Sequence, residues 1–398
     1  MPLSQWRTMT QQSVTAGSHI ELSTSALKRN ISYLKKRIGS RSRFVSVIKG
    51  NAYGHGIEDY LPLAEQCGVR SFAISDSAEA ERACRVRQSG TELMIMNMID
   101  AADLVWALEH DVSWYVFDFD RLQSSIDAAR KTGRRASIHI EVETGFNRTG
   151  FVPADIGRVI DVCREYAEYL DLAGVCTHFA GAESIANYYR IQEQRTVFAR
   201  VRGQFEAAGL RPRAYHAASS AAALTYPETA HDLVRFGIAQ YGFWPSIETR
   251  IQNMMNGETR FSKDPLAQVL TWKSHVIARQ EVRTGEYVGY GTSYLAQQPT
   301  SVAVIPVGYY HGYSRNLSNL GHVLIRGHKA PVIGMVNMNI ITVDVTAVPA
   351  ATVGDEVVLI GKQGRHRITV SSFSDLANYV NYEMLIRLPY EIPRKIVP

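Results

Sequence analysis

Between about residues 25 and 245 one unit recurs: a short apolar run, then an amphipathic helical stretch. The strand candidates are Phe44–Lys49, Ser71–Asp76, Glu92–Met98, Val112–Asp118, Ala136–Glu143, Leu172–Phe179, Arg213–Ala218 and Leu233–Tyr241. They are rich in β-branched and aromatic residues and too short for helices. Helical patterns such as Ser25–Arg37, Asp76–Arg87, Asp118–Lys131 and Ala154–Tyr169 lie between them, several opened by Ser or Asp in a capping position. Eight such units in this length predict a (β/α)8 barrel of the TIM type over residues 18–250. An open, doubly wound sheet shows the same alternation and is the rival; the count of eight favours the barrel.

After Pro245 the pattern changes. Residues 247–266 read as a loop, with the linker proper at 251–266. From Ala267 strands dominate: Val269–Ala278, Tyr287–Tyr290, Ser301–Val307, His322–Arg326, Ile340–Val345 and Glu356–Ile360, with one helix near Ser371–Val380. This predicts a second, mainly antiparallel β domain over 267–398, which a strand near residues 19–22 is a candidate to join. Residues 1–17 are polar, lack the apolar segment of a signal peptide and read as an extension.

Composition excludes several function classes. The net charge of +5 is scattered among acids, so no basic face for nucleic acid is expected. No apolar stretch is long enough to span a bilayer. Cys67, Cys84, Cys163 and Cys176 form no CxxC pair. That spacing predicts neither a metal site nor a disulfide framework, and suits a reducing cytoplasm.

The chemistry concentrates at strand ends. Lys49 closes the first barrel strand in VSVIKGNAYGHG, at the face where barrel active sites lie. A snorkelling lysine is the ordinary explanation. The residues that follow shift the balance: Gly50, Gly54 and Gly56 permit close backbone approach, and Tyr53 offers a hydroxyl. A partly desolvated lysine has a lowered pKa and suits a Schiff base. The loops after strands seven and eight, the usual phosphate site of a barrel, read HAASSAAAL and VRFGIAQYG. Ser219 and Ser220 stand where a helix begins, and Gly237 follows Arg235. A helix cap is the commoner role for Ser219. Taken with Lys49, the set points to a phosphorylated aldehyde cofactor.

The run VIKGNAYGHG closely resembles the cofactor-lysine motif of alanine racemases, usually VVKANAYGHG. Further matching stretches follow in the family's order: ETGFNRTG, THFA, SSAA, VRFGIAQYG, VGYGTSY, GYYHGYSR, GMVNMN and NYE. The resemblance runs from about His19 to Arg394. It implies pyridoxal 5'-phosphate as cofactor and racemisation of a free amino acid, alanine foremost, in a homodimer with shared sites. Lys49 would carry the cofactor. Tyr53, Ser220, Gly237, Ile238 and Tyr382 would hold its phosphate, and Arg235 would face its ring nitrogen. Arg148 would touch the cofactor's phenolic oxygen and the substrate carboxylate. His178 would bridge Arg235 and Tyr290. Tyr290 and the backbone of Met338 would come from the partner subunit, and Tyr309 would narrow the entrance. Inverting Cα needs a group on each face, and Lys49 and Tyr290 would be that pair. Without the resemblance, His178 reads as a core histidine and Arg148 as a turn arginine.

This chain departs from the family at several places. Glu141 stands where the family usually has a lysine carried as a carbamate. Ser219 replaces an Asn, Asn339 an Asp, Met335 an Arg, and Glu183 an entrance Asp. These changes bear on alanine specificity more than on racemisation. Three rivals differ in class. A pyridoxal-phosphate carrier on a single barrel lacks the β domain. A related decarboxylase commonly uses a β-domain cysteine, and no cysteine follows Cys176. A degraded scaffold would not keep Lys49, Arg148, Arg235 and Tyr290 together.

Overall fold

The computed structural model describes residues 16–255, 264–377 and 381–398. Most of the N-terminal extension, the middle of the predicted linker and the end of the predicted Ser371–Val380 helix lie outside these residues. The chain forms two compact units, Leu22–Leu270 with Ile396–Pro398, and Met1–Glu21 with Thr271–Lys395.

Strand β1, Ser18–Ser23, belongs to the second unit's sheet. The next eight are β2 (Arg43–Val47), β3 (Ser71–Ile74), β4 (Glu92–Ile95), β5 (Val112–Val116), β6 (Ala136–Glu141), β7 (Leu170–Cys176), β8 (Tyr215–His216) and β9 (Leu233–Phe236). They run parallel in the order β8-β7-β6-β5-β4-β3-β2-β9. The gap between β8 and β9 closes through Asp232 N to Tyr215 O (3.0 Å), Arg235 N to Ala218 O (3.1 Å) and a bridge of Ser219 with Arg235. The result is the predicted eight-stranded barrel, filled by Val45, Val47, Ala73, Met94, Tyr115, Cys176, Ala214 and Leu233. Ser23, Asp76 and Asp118 cap their helices by accepting from Ala26 N (3.2 Å), Glu79 N (3.0 Å) and Arg121 N (2.8 Å). Each such cap contributes about 1 kcal/mol.

The strands are shorter than their apolar runs. The last run extends to Tyr241, but β9 stops at Phe236 and Ile238–Tyr241 is a 3-10 turn. Buried Gln240 draws that turn inward: its Nε2 donates to Val47 O (3.0 Å) and Phe236 O (2.8 Å), and its Oε1 accepts from Ser46 Oγ at 2.7 Å. The predicted loop after Pro245 begins as a helix, Ile247–Met255. Ser246 Oγ caps it by accepting from Thr249 N at 3.0 Å, and the buried residues are the polar Thr249 and Asn253. Asn253 Nδ2 donates to Tyr33 Oη at 2.6 Å. Its apolar residues, Ile247, Ile251, Met254 and Met255, stand at helical spacing but are exposed, while the polar side is the buried one.

The second unit adds β10 (Leu270–His275), β11 (Ala278–Val282), β12 (Thr300–Ile305), β13 (His322–Ile325), β14 (His328–Pro331), β15 (Ile341–Asp344), β16 (Glu356–Gln363), β17 (His366–Ile368) and β18 (Arg394–Val397). One sheet runs β14-β13-β16-β10-β1-β18, with β17 on β16; the other runs β11-β12-β15. The predicted strand Tyr287–Tyr290 is absent. It is a loop joined by the single bridge Tyr287–Leu295, with Gly289 and Gly291 at φ of 73° and 68°. Two left-handed residues break the alternation a ladder needs.

Candidate active site

Lys49 follows β2 and opens an unusual turn. Gly50, Asn51, Ala52 and Tyr53 all adopt left-handed backbone angles, with φ of 62°, 55°, 54° and 51°. Such a conformation costs a non-glycine residue roughly 1–2 kcal/mol. Side chains from the next βα unit hold it. Glu79 accepts from Asn51 N at 2.9 Å and from Ser75 N at 3.0 Å. Asn51 Oδ1 accepts from Arg82 Nη2 (2.6 Å) and Ile57 N (3.2 Å). The turn sets the Tyr53 ring 4.9 Å from that of Tyr241.

The Tyr53 hydroxyl thereby reaches Gly237. A Cβ built on Gly237 would lie 2.5 Å from Tyr53 Oη, so any side chain there would have to push the tyrosine aside. Gly237 N donates to Ser220 Oγ at 3.0 Å, and Ser220 opens the short helix Ser220–Thr225. Ser219 is its N-cap residue but makes no side-chain capping bond. Tyr53, Ser220, Gly237 and Ile238 therefore gather at one corner of the barrel's C-terminal face. Hydroxyls and backbone N–H groups around a spot that a Cβ would fill suit a phosphate.

Buried Arg235 spans the barrel beside this corner. Its Nη2 donates to Thr177 O (2.8 Å) and Ala217 O (3.0 Å) and lies 3.5 Å from His178 Nδ1. Its Nη1 meets His216 Nδ1. Burial, then Arg235, Arg148 and Lys49, push His178 down to about 3. Lys49 is lowered by burial first and by Arg148 and Arg235, with Glu79 opposing. These shifts describe a cluster of cationic groups that leaves His178 neutral.

Arg148 sits in the loop after β6, its guanidinium 4.4 Å over the Phe146 ring and its Nη2 4.0 Å from Glu141 Oε1. Glu143 shapes that loop by accepting from Gly145 N and, at 2.8 Å, from Asn147 N. Burial raises the Glu141 carboxyl, against the pull of Thr149 and Arg148. At 4.0 Å the ion pair is too loose to outweigh the lost hydration.

Of the remaining sequence-predicted residues, all but Glu183 lie in the second unit. Tyr290, Tyr309, Met335, Met338 and Asn339 line one groove of about 380 Å³ together with Arg315. Tyr290 is 74% exposed. The groove forms because Tyr309 N and Tyr310 N donate to Asn337 O and Met338 O at 3.0 and 2.9 Å, docking the two loops. Tyr382 lies on the helix Asn381–Ile386. Glu183 is in the barrel unit, its carbonyl accepting from Ser246 Oγ at 2.5 Å. Sequence reasoning missed Glu79 and His216. His216 stood in the run HAASSAAAL, but only its contact with Arg235 gives it a role.

Among the described residues no group of His, Cys, Asp or Glu is placed to hold a metal ion, and no helix is long and apolar enough to cross a membrane. Residues 22–245 match the alanine racemase N-terminal domain and residues 269–396 the alanine racemase C-terminal domain. The chain is 32% identical over 387 residues to an alanine racemase of Leptospira interrogans, covering 96% of each chain. It is 34% identical over 383 residues to that of Syntrophobacter fumaroxidans, covering 93% of this chain and 94% of the relative. The fold is similar to the alanine racemase of D-cycloserine-producing Streptomyces lavendulae, with a TM-score of 0.87, 29% identity and coverage of 97% and 98%. It is also similar to the Bacillus anthracis alanine racemase with bound L-Ala-P, with a TM-score of 0.86, 26% identity and coverage of 97% and 96%. With the barrel, the Lys49 turn and the Arg235 cluster in place, these matches establish that the chain belongs to the alanine racemase family.

Proposed function

We propose that this protein interconverts the L and D forms of a free amino acid, alanine foremost, by a two-base mechanism. The observation that carries this reading is buried Arg235, 3.5 Å from His178, on the strand that leads into the Tyr53–Ser220–Gly237 corner, where the turn opened by Lys49 ends at Tyr53. Pyridoxal phosphate is the cofactor of this family. When bound, it withdraws electrons from the substrate's Cα and acidifies its C–H bond.

The chain's own residues do the rest. Tyr53, Ser220, Gly237, Ile238 and Tyr382 hold the phosphate. Lys49, its amine made less basic by burial, moves a proton at one face of Cα. Tyr290 from a second copy serves the other face, with His178 between it and Arg235. Arg148 and the Met338 backbone bind the substrate carboxylate, and Tyr309 narrows the entrance. Arg235 stays cationic and keeps its protons, because a guanidinium does not titrate near neutral pH. Glu141 supplies the anion beside Arg148 without a carbamate.

The exposed Tyr290 and the groove it lines support a homodimer whose sites each need both copies. Four free cysteines support a reducing, cytoplasmic setting. The test is direct. Protein loaded with pyridoxal phosphate and given only L-alanine should yield D-alanine by chiral chromatography. Borohydride should then place the pyridoxyl label on Lys49 by peptide mapping. A label on another lysine, or release of CO2 in place of D-alanine, would overturn the reading.

A further inference from the structure

His139, on β6, has no part in the proton transfers proposed above. It is buried inside the barrel, and its Nδ1 lies 3.0 Å from Nε2 of buried His216. His216 Nδ1 is in turn bonded to Arg235 Nη1. A guanidinium has only donors. His216 Nδ1 must therefore be a bare acceptor, so its ring proton sits on Nε2 and is donated to His139 Nδ1. By the same logic His139 carries its proton on Nε2. Protonating either ring would set two donors face to face. Arg235, His216 and His139 thus form one directed chain with dictated tautomers. Burial and the nearby Arg213, Arg235 and Arg43 act the same way, holding His139 down at about 3.

The backbone is shaped for this ring. The pairing of β6 with β7 shifts register between Ile138 and His139, so that Ala173 is an extra residue. A bulge re-aims a side chain. A Cβ on Gly174, the residue opposite, would lie 2.4 Å from His139 Nδ1, so a side chain there would displace the ring. His139 also lines a cavity of about 400 Å³ with Arg43, Ser71, Asp171 and Arg213. Ser71 and Arg43 lie at strand starts, so this is the barrel's N-terminal end, away from Lys49. His139 borders that cavity, and its Nε2 is not among the buried atoms left without a partner.

We infer that His139 is a positioning residue, which acts through His216 to hold Arg235 in place at the opposite end of the barrel. The inference rests on the reading of Arg235 as the group that meets the cofactor ring.

Ring-nitrogen NMR of the cofactor-free protein reads the chain without any activity. The expected result is the Nε2–H tautomer for both His139 and His216. An Nδ1–H tautomer or a protonated ring at either position overturns it. In loaded protein, His139→Leu removes the acceptor and leaves His216 Nε2–H unpaired. It should shift the cofactor's absorption band and lower kcat about tenfold, the worth of one buried hydrogen bond, with KM nearly unchanged. His139→Gln, whose amide oxygen can accept, should restore both. A leucine variant matching the parent in band and kcat overturns the inference, as does a glutamine variant as impaired as leucine. Borohydride labelling of Lys49 separates the two readings: if it fails, the proposed function fails, while the tautomers still judge the chain.

Discussion

Glu141 Oε1 stands 4.0 Å from Arg148 Nη2, with the carboxylate side chain 5% exposed and the arginine 52% exposed. The second carboxylate oxygen is buried without a hydrogen-bond partner. The anion is thus held at a cost, and what it gains is a partner for the arginine assigned to the substrate carboxylate.

That cost has a sign in pH. Burial raises the Glu141 carboxyl, so its contribution to stability is full below the unfolded pKa, about 4.3, and is lost as pH rises through the folded value. Glu141→Gln should therefore melt above the parent at pH 8 and lose that advantage near pH 4. It should also release Arg148 and raise KM for the amino acid several-fold. Thermal melts and initial rates check both; an unchanged KM would remove Glu141 from a positioning role.

Gly237→Ala puts a methyl 2.5 Å from Tyr53 Oη. Tyr53 cannot retreat freely, because its backbone is locked in the left-handed turn. Overpacking of this kind costs about 1–3 kcal/mol. The apparent Kd for pyridoxal phosphate should rise at least about tenfold while the fold survives, which absorbance titration and circular dichroism will show.

Tyr290→Phe should distinguish the two faces of Cα. Solvent-deuterium exchange should fall far more from one enantiomer than from the other, since Lys49 still serves its own face. Equal losses from L and D substrate would take Tyr290 out of its proposed role.

If sites are shared between copies as proposed, mixing Lys49→Ala with Tyr290→Phe chains should restore part of the activity that each variant alone lacks. A heterodimer keeps one site with both residues intact. No recovery in a verified heterodimer would rule out sites shared between copies.

Met335 lines the groove with Tyr290 and Tyr309 where the family usually has an arginine. Methionine adapts to varied shapes. Detectable turnover of a side chain larger than methyl, such as serine or lysine, is expected, with Met335→Arg narrowing the range. Comparison of kcat/KM across alanine, serine, lysine and arginine decides it.

The sequence by itself determined the barrel, the β-rich second half and the position of Lys49. These rest on local signals: apolar runs of strand length, capping residues such as Asp76 and Asp118, and one dense motif, VIKGNAYGHG. The apolar runs overshoot the strand ends, because an apolar residue such as Ile238 or Tyr241 is as welcome in a buried turn as in a strand. Only the tertiary structure decided how the site is held. The left-handed turn after Lys49 depends on Glu79, 28 residues from Asn51, and the Arg235 chain reaches His139 through His216, 77 residues away. Polar partners so far apart leave no periodic trace. Their hydrogen bonds become possible only once the closed barrel has excluded water and brought the strand ends together.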